Sequence, residues 1–258
     1  MTKLLAISGN TVREALRDRL LYNLLIFALL LVGGSLTISR LTIGEQARII
    51  TNIGTGATQL FGTLVAVFLG VGLVTRELDR RTCYPVLARP VSRAAFVTGK
   101  FLGLLATLAL NVMLMAAATA AVLYVYRGDL RFLDGAFLGA FALMIVQLGI
   151  CGALAVLFST FTTATLASIF SLSFIGAGWL FTEVRNFWLS ARQTDMKQLV
   201  SFLDYLLPNM GLVDLKEAAV YGDPVTIGSF LSRAAYGAAY SALLIALAAL
   251  IFSRRDVR

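Results

Sequence analysis

The side chains able to do chemistry are crowded into one stretch, Thr75 to Gly103, which reads TRELDRRTCYPVLARPVSRAAFVTGKFLG. Arg76, Arg80, Arg81, Arg89, Arg93 and Lys100 supply its cations, and Glu77 and Asp79 its anions. Such a set suits ion-paired docking better than bond-making. The chain contains no histidine, which removes His-based triads, histidine metal sites and the HExxH protease motif. It has no phosphate loop: Gly99-Lys100 is followed by Phe101 where Ser or Thr is needed, and no glycine stands where the loop requires one. Cys83 and Cys151 have no metal-site spacing, and no disulfide is predicted. No catalytic residue, metal or cofactor is therefore expected in this chain. An enzyme reading also lacks paired carboxylates within the apolar segments.

The elements that position this stretch are apolar. Hydrophobic residues make up 59% of the 258 positions and charged residues 14%, against about half and about a quarter in soluble domains. The excess comes in long blocks, and crossing a ~30 Å hydrocarbon layer takes about 20 apolar residues, so the chain has room for about six spans. An all-α membrane protein is expected. The spans are placed at 20–39, 57–76, 99–126, 136–158, 165–182 and 230–252. Residues 1–19 precede them as an amphipathic interfacial helix, with Leu5, Val12, Leu16 and Leu20 on one face. The N-terminus is too polar for a cleaved signal peptide. Arg40, Glu45 and Arg48 mark a short polar loop.

The region 183–229 is semi-polar. Met196 to Leu207 places Leu199, Phe202, Leu203 and Leu206 at helical spacing, and Pro208-Asn209 stops that helix. Leu212 to Tyr221 makes a second short helix, ended by Gly222-Asp223-Pro224. These short helices either form a lid over a pathway or pack on the ends of the spans. Polar positions within spans, Asn111, Gln147, Ser168, Ser171 and Ser173, are read as interhelical hydrogen bonds, and the glycines as points of close helix approach. Glu183 and Arg233 lie at span ends, where snorkelling suffices. The spans hold almost no ionisable residue, although ion-coupled transporters need some.

The net charge of +8 points to topology and anionic lipid rather than nucleic acid, because the cations sit beside spans. With the N-terminus inside, the inner segments hold Lys3, Arg13, Arg17, Arg19, the cations of the central stretch, Arg254, Arg255 and Arg258. They outnumber the outer set, and several of the outer cations lie in or beside the longest loop, where the rule weakens. Both termini and residues 77–93 are therefore expected in the cytoplasm, in a multi-pass protein of the bacterial inner membrane. In the central stretch Glu77 is followed by Arg80 and Arg81 at helical spacing. Pro85 and Pro90 interrupt it, and Ser92 can cap the next helix, with Val91 and Phe96 as a hydrophobic staple. Leu78, Tyr84, Val86 and Leu87 are apolar amid the charge. That favours a docking element over a loop that only sets topology. With no phosphate loop and nearly ion-free spans, energy must enter from outside the chain.

These residues resemble a motif of ATP-binding-cassette permeases of the type-two exporter class. There an R-E-x-x-x-x-T segment leads through L-x-x-P-V-S-R to a G-K-x-x-G that opens the third span. Here the matching residues are Arg76, Glu77, Thr82, Leu87, Pro90, Val91, Ser92, Arg93, Gly99, Lys100 and Gly103. The amphipathic start, Tyr205 to Asn209 (YLLPN) and Phe252 to Asp256 (FSRRD) are also similar. Within the class the likeness is to permeases similar to the one used in nitrous oxide reductase maturation. The resemblance implies that two permease chains, identical or not, form a pathway at their interface. It implies two cytoplasmic ATPase subunits, which carry the ATP and magnesium. The coupling element would comprise Arg76, Glu77, Asp79, Arg80, Arg81, Tyr84, Leu87 and Arg89, and the external gate Tyr205, Leu206, Pro208 and Asn209. The loop between the first two spans is short, so no large external domain is available to recognise cargo. The function expected is ATP-driven movement of a substrate across the membrane. The alternative is a mechanotransmitting subunit that moves a periplasmic or external partner with no substrate flux.

Overall fold

A computed structural model describes residues 2–39, 44–79, 93–190 and 207–254. Among them the chain is all helical. In order these are α1 (Thr2–Ala15), α2 (Arg19–Ser39), α3 (Gln46–Asp79), α4 (Arg93–Arg127), α5 (Gly135–Ser159) and α6 (Ala164–Ser190). A 3-10 turn at Met210–Val213 follows, then the short α7 (Lys216–Tyr221) and α8 (Ile227–Arg254). Six of them, α2 to α6 and α8, are long and apolar enough to cross a membrane. Their hydrophobic residues run all round each helix, which suits burial in lipid or in other helices.

Several helices outrun their expected spans. α3 begins at Gln46, ahead of Ala57, because Glu45 and Arg48 do not form a loop. Arg48 lies in the first turn, and its Nη1 pairs with Glu45 Oε2 at 2.7 Å. α4 starts at Arg93 rather than Gly99 and α6 reaches Ser190 rather than residue 182. Amphipathic ends need no apolar window to stay helical. α5 is capped where its sequence suggests: Asp134 Oδ1 accepts the Phe137 N–H at 2.8 Å. α7 ends at Gly222, whose φ of 74° is one that glycine adopts without strain.

α5 is the axis of the bundle. It packs on α3, α4, α6 and α8, and 72% of its most apolar window is buried within the chain, against 22% for α2 and for α6. Glycine lets neighbours close on it: a methyl group on Gly70 of α3 would lie 2.9 Å from Ala155 of α5, and one on Gly152 of α5 would lie 2.8 Å from Leu104 of α4. Gly54 of α3 likewise makes room for Thr119 of α4.

α1 lies against α4 with a different face from the one its leucines suggest. Thr11 and Ala15 are buried, whereas Leu5 is 69% exposed. The reason is Gly103, where a methyl would lie 2.7 Å from Ser8 O. That gap admits the small residues of α1 and leaves Leu5 facing outward. α1 also stops at Ala15, and Leu20 belongs to α2.

Candidate functional site at the capped end of the bundle

Chain direction gives the bundle two ends. α1, the end of α3, the start of α4 and the end of α8 share one. The other holds the start of α3, the 127–134 turn and residues 207–226. Of the predicted coupling residues, Arg76, Glu77 and Asp79 fall in the last turns of α3. Arg80, Arg81, Tyr84, Leu87 and Arg89 lie outside the described residues, as do Cys83, the Ser92 cap, Tyr205, Leu206 and nearly all of the expected 196–207 helix. Pro208 and Asn209 are described, and they lead into the best-formed polar feature of the molecule.

Residues 207–226 make a cap that turns into the bundle rather than lying across it. Met210 is fully buried, and its carbonyl accepts Gln147 Nε2 at 3.3 Å. Gln147 stands roughly 18 Å along α5 from Gly135, at ~1.5 Å per residue. That is about half the ~30 Å depth of a bilayer core. Non-helical backbone at such depth is tolerated only where protein groups or a water-filled cavity satisfy it. Protein groups satisfy it here. Arg233 Nη1 of α8 donates to Leu212 O at 3.2 Å and to Asp214 O at 3.0 Å. The Asn209 N–H donates to Tyr236 Oη at 3.0 Å. Gly178 of α6 makes the insertion fit, since a methyl there would lie 2.9 Å from Pro208 O.

Two expectations change in consequence. Arg233 does not snorkel; it holds cap carbonyls. Leu212 to Tyr221 is not one helix but a 3-10 turn followed by α7, because Asn209 Oδ1 accepts the Leu212 N–H at 3.2 Å and starts the tight turn, while Asp214 Oδ1 accepts the Lys216 N–H at 2.7 Å. Asn209 therefore starts a turn as well as ending a segment.

Beside the cap lies a cavity of about 680 Å³. α3 contributes Asn52 and Gln59, α6 Trp179 and Thr182, the cap Gly211, Asp214 and Lys216, and α8 Arg233. Lys216 Nζ crosses over Gly56 of α3, 3.5 Å from where a methyl would stand. At the mouth, the Arg48 guanidinium lies over the Tyr221 ring, 5.3 Å from its centroid. Gln59 Nε2 donates to Gln147 Oε1 at 3.4 Å. Burial holds the Asp214 carboxyl above its usual range and Glu217 adds to this, while the Lys216 N–H and the charges of Lys216 and Arg233 pull it down. A polar, hydrogen-bonding cavity can hold water or a hydrophilic solute. A second cavity of about 540 Å³, between α4, α5 and α8, is lined by groups such as Phe101, Leu105, Ile145 and Ile245 and offers little polarity. Among the described residues no group of three or more Cys, Asp or Glu could hold a metal ion.

The sequence flagged Gln147 as an interhelical hydrogen bonder, and so it is. Ser168 and Ser171 instead return their hydroxyls to their own helix, at Ala164 O and Ala167 O. Gln59 and the anchoring role of Arg233 were missed. A carboxamide in mid-span and a guanidinium one turn into α8 were the available signals.

At the opposite end, Lys100 of α4 is buried and faces Glu14 of α1 across 3.5 Å. It also lies over the Phe96 ring, 5.7 Å from the centroid.

Residues 5–257 match the family described as ABC-2 family transporter protein. No curated protein matches the chain.

Proposed function

The chain belongs to the ABC-2 transporter family, and on that premise we propose that it is the permease subunit of an ATP-driven ABC transporter of the bacterial cytoplasmic membrane. The observation that carries this reading is the polar cavity lined by Asn52, Gln59, Asp214, Lys216 and Arg233, beside a cap that α8 holds in place and whose Met210 carbonyl reaches Gln147 of α5. A cavity of this kind has a use only if something hydrophilic enters it.

The remaining parts of the reading follow from it. Two copies, or this chain and a related one, meet along α2 and α6, the spans least buried within the chain. Gly33 and Gly34 on α2 and Gly176 on α6 have open space beside them, which allows close helix approach. The cavity lies between α3 and α6, next to that seam. Two ATPase subunits, which carry ATP and magnesium, dock in the cytoplasm on the stretch from Arg76 to Arg89. Both termini are cytoplasmic, α1 turns Leu5 to the lipid, and the cap is the external gate. Within the family the chain is similar to the permease of nitrous oxide reductase maturation, and a periplasmic partner fits such a role.

The test uses inverted vesicles containing the chain and its ATPase, supplied with ATP and a soluble extract. Their contents are compared by mass spectrometry with vesicles carrying Asn52→Phe, which fills the cavity. ATP-dependent enrichment of a solute in the wild type, lost in the variant, is expected. Absence of any such solute sinks the transport reading. Gate movement on ATP addition with no flux would assign the mechanotransmitting role instead.

A further inference from the structure

Gln59 of the cavity lining and Gln147 of α5 form a directional pair of carboxamides. Gln147 is buried, 2% exposed, and bonds both to α3 and to the cap. The Met210 carbonyl can only accept, so it fixes the Gln147 amide with Nε2 toward the cap. That leaves Gln147 Oε1 facing α3, where it can only accept, and so fixes Gln59 as the donor. The order α3, Gln59, Gln147, Met210 is thus set by chemistry at one end.

The two bonds, 3.4 and 3.3 Å, lie beyond the usual range of about 2.7–3.2 Å for N–H···O. A slide of α3 against α5 by a few tenths of an ångström parts them. α3 is one unbroken helix from Gln59 to Asp79, where the coupling stretch begins. On the α3–α5 seam Leu148 seats over Gly62 and Ala155 over Gly70, so movement of α3 shifts these contacts together with the carboxamide pair.

We propose that Gln147 is a positioning residue that carries displacement of α3 to the cap, with Gln59 as its sensor. This inference rests on the cap being a gate. When α3 moves, Gln147 loses Gln59, its amide is free to turn, and the Met210 carbonyl loses its donor. Of the described hydrogen bonds between the cap and the spans, those with Arg233 and Tyr236 of α8 then remain.

The test measures amide hydrogen exchange of the cap in the purified full chain in lipid nanodiscs, without the ATPase. The Leu212 and Asp214 N–H groups donate within the cap, to Asn209 Oδ1 and Gly211 O, so they exchange only when it opens. Gln147→Met and Gln59→Met keep side-chain length and remove the carboxamide. Each is expected to speed cap exchange on the order of fivefold, and the double variant no more than Gln147→Met alone. The Gln59 variant decides, because the bond of Gln59 goes to Gln147 and not to the cap. Unchanged cap exchange in Gln59→Met, or additive effects in the double variant, would overturn the relay. If Gln147→Met does not assemble, Gln59→Met carries the test alone. The readout needs neither ATP nor flux, so its failure leaves the transport reading standing, and failure of the transport reading leaves the relay measurable.

Discussion

Glu14 Oε2 on α1 lies 3.5 Å from Lys100 Nζ on α4, with the lysine side chain 5% exposed and the glutamate 42%. The pair fastens the N-terminal helix to the start of the third span. Removing one partner of a buried pair strands the other charge, which costs more than removing both. Because Glu14 is partly in solvent, Glu14→Gln is expected to cost about 1 kcal/mol. Adding Lys100→Met should restore most of it. Thermal unfolding in detergent, read as a double-mutant cycle, checks this. Additive losses would mean that the pair is not coupled.

Arg233 gives both of its described hydrogen bonds to cap carbonyls. Hydrogen bonds to charged groups contribute about 1.5–3 kcal/mol. Arg233→Met should therefore loosen residues 210–215 strongly, seen as protease cleavage within the cap while the spans stay protected. Both bonds leave one nitrogen, Nη1, so Arg233→Lys should fall between: an ammonium can also donate to two carbonyls, but from a flexible stem without the rigid planar geometry of the guanidinium. A lysine variant as resistant as the wild type would reduce Arg233 to a simple charge.

Asp214 gives the cap a pH dependence whose sign is fixed. Its carboxyl is raised above 3.8 by burial, so the folded state holds the proton more tightly than the unfolded state does. The penalty for burying the carboxylate is complete above the raised value and disappears as pH falls toward 3.8. Stability should therefore rise as pH falls through the raised value toward 3.8. Asp214→Asn should flatten that part of the profile. A melting temperature that falls over the same range in the wild type but not in Asp214→Asn would reverse the assignment.

The coupling stretch makes a separate prediction. Glu77→Lys or Arg81→Glu is expected to lower ATP-dependent transport at least tenfold while the chain still inserts, because like charges across a docking surface cost several kcal/mol. Membrane abundance, ATPase binding and flux are measured together. Full activity in both variants would remove this stretch from the coupling route.

Much of the architecture was legible because long apolar blocks have few solutions in lipid. The helix ends were less so. α3 runs back to Gln46, where Ile50, Thr51 and Thr55 are buried, Gly54 packs on Thr119 and Arg48 pairs with Glu45, interactions that a hydropathy window does not register. The face by which α1 packs on α4 was not legible for a similar reason. Leu5, Val12 and Leu16 describe a regular stripe, yet the contact is made by Thr11 and Ala15 because Gly103 stands opposite. Nothing in residues 1–19 reveals a gap on a helix nearly ninety positions away. Pro208 and Asn209 were singled out in the sequence, but the inward turn of the cap depends on Gln147, Arg233 and Gly178 together. Only their convergence shows that the segment enters the bundle.

The anchoring of the cap also has a consequence for biosynthesis. Met210 waits for an amide from α5, already made, but Leu212, Asp214 and Asn209 wait for Arg233 and Tyr236 of α8, not yet made. At about 5–20 residues per second, the cap emerges seconds before its last partners and then waits for α8 to enter the bilayer. A chain stopped before Arg233 would hold bare carbonyls at the membrane, and a protease that scans for exposed backbone would find it there. Insertion of the final helix is thus the step that closes the molecule.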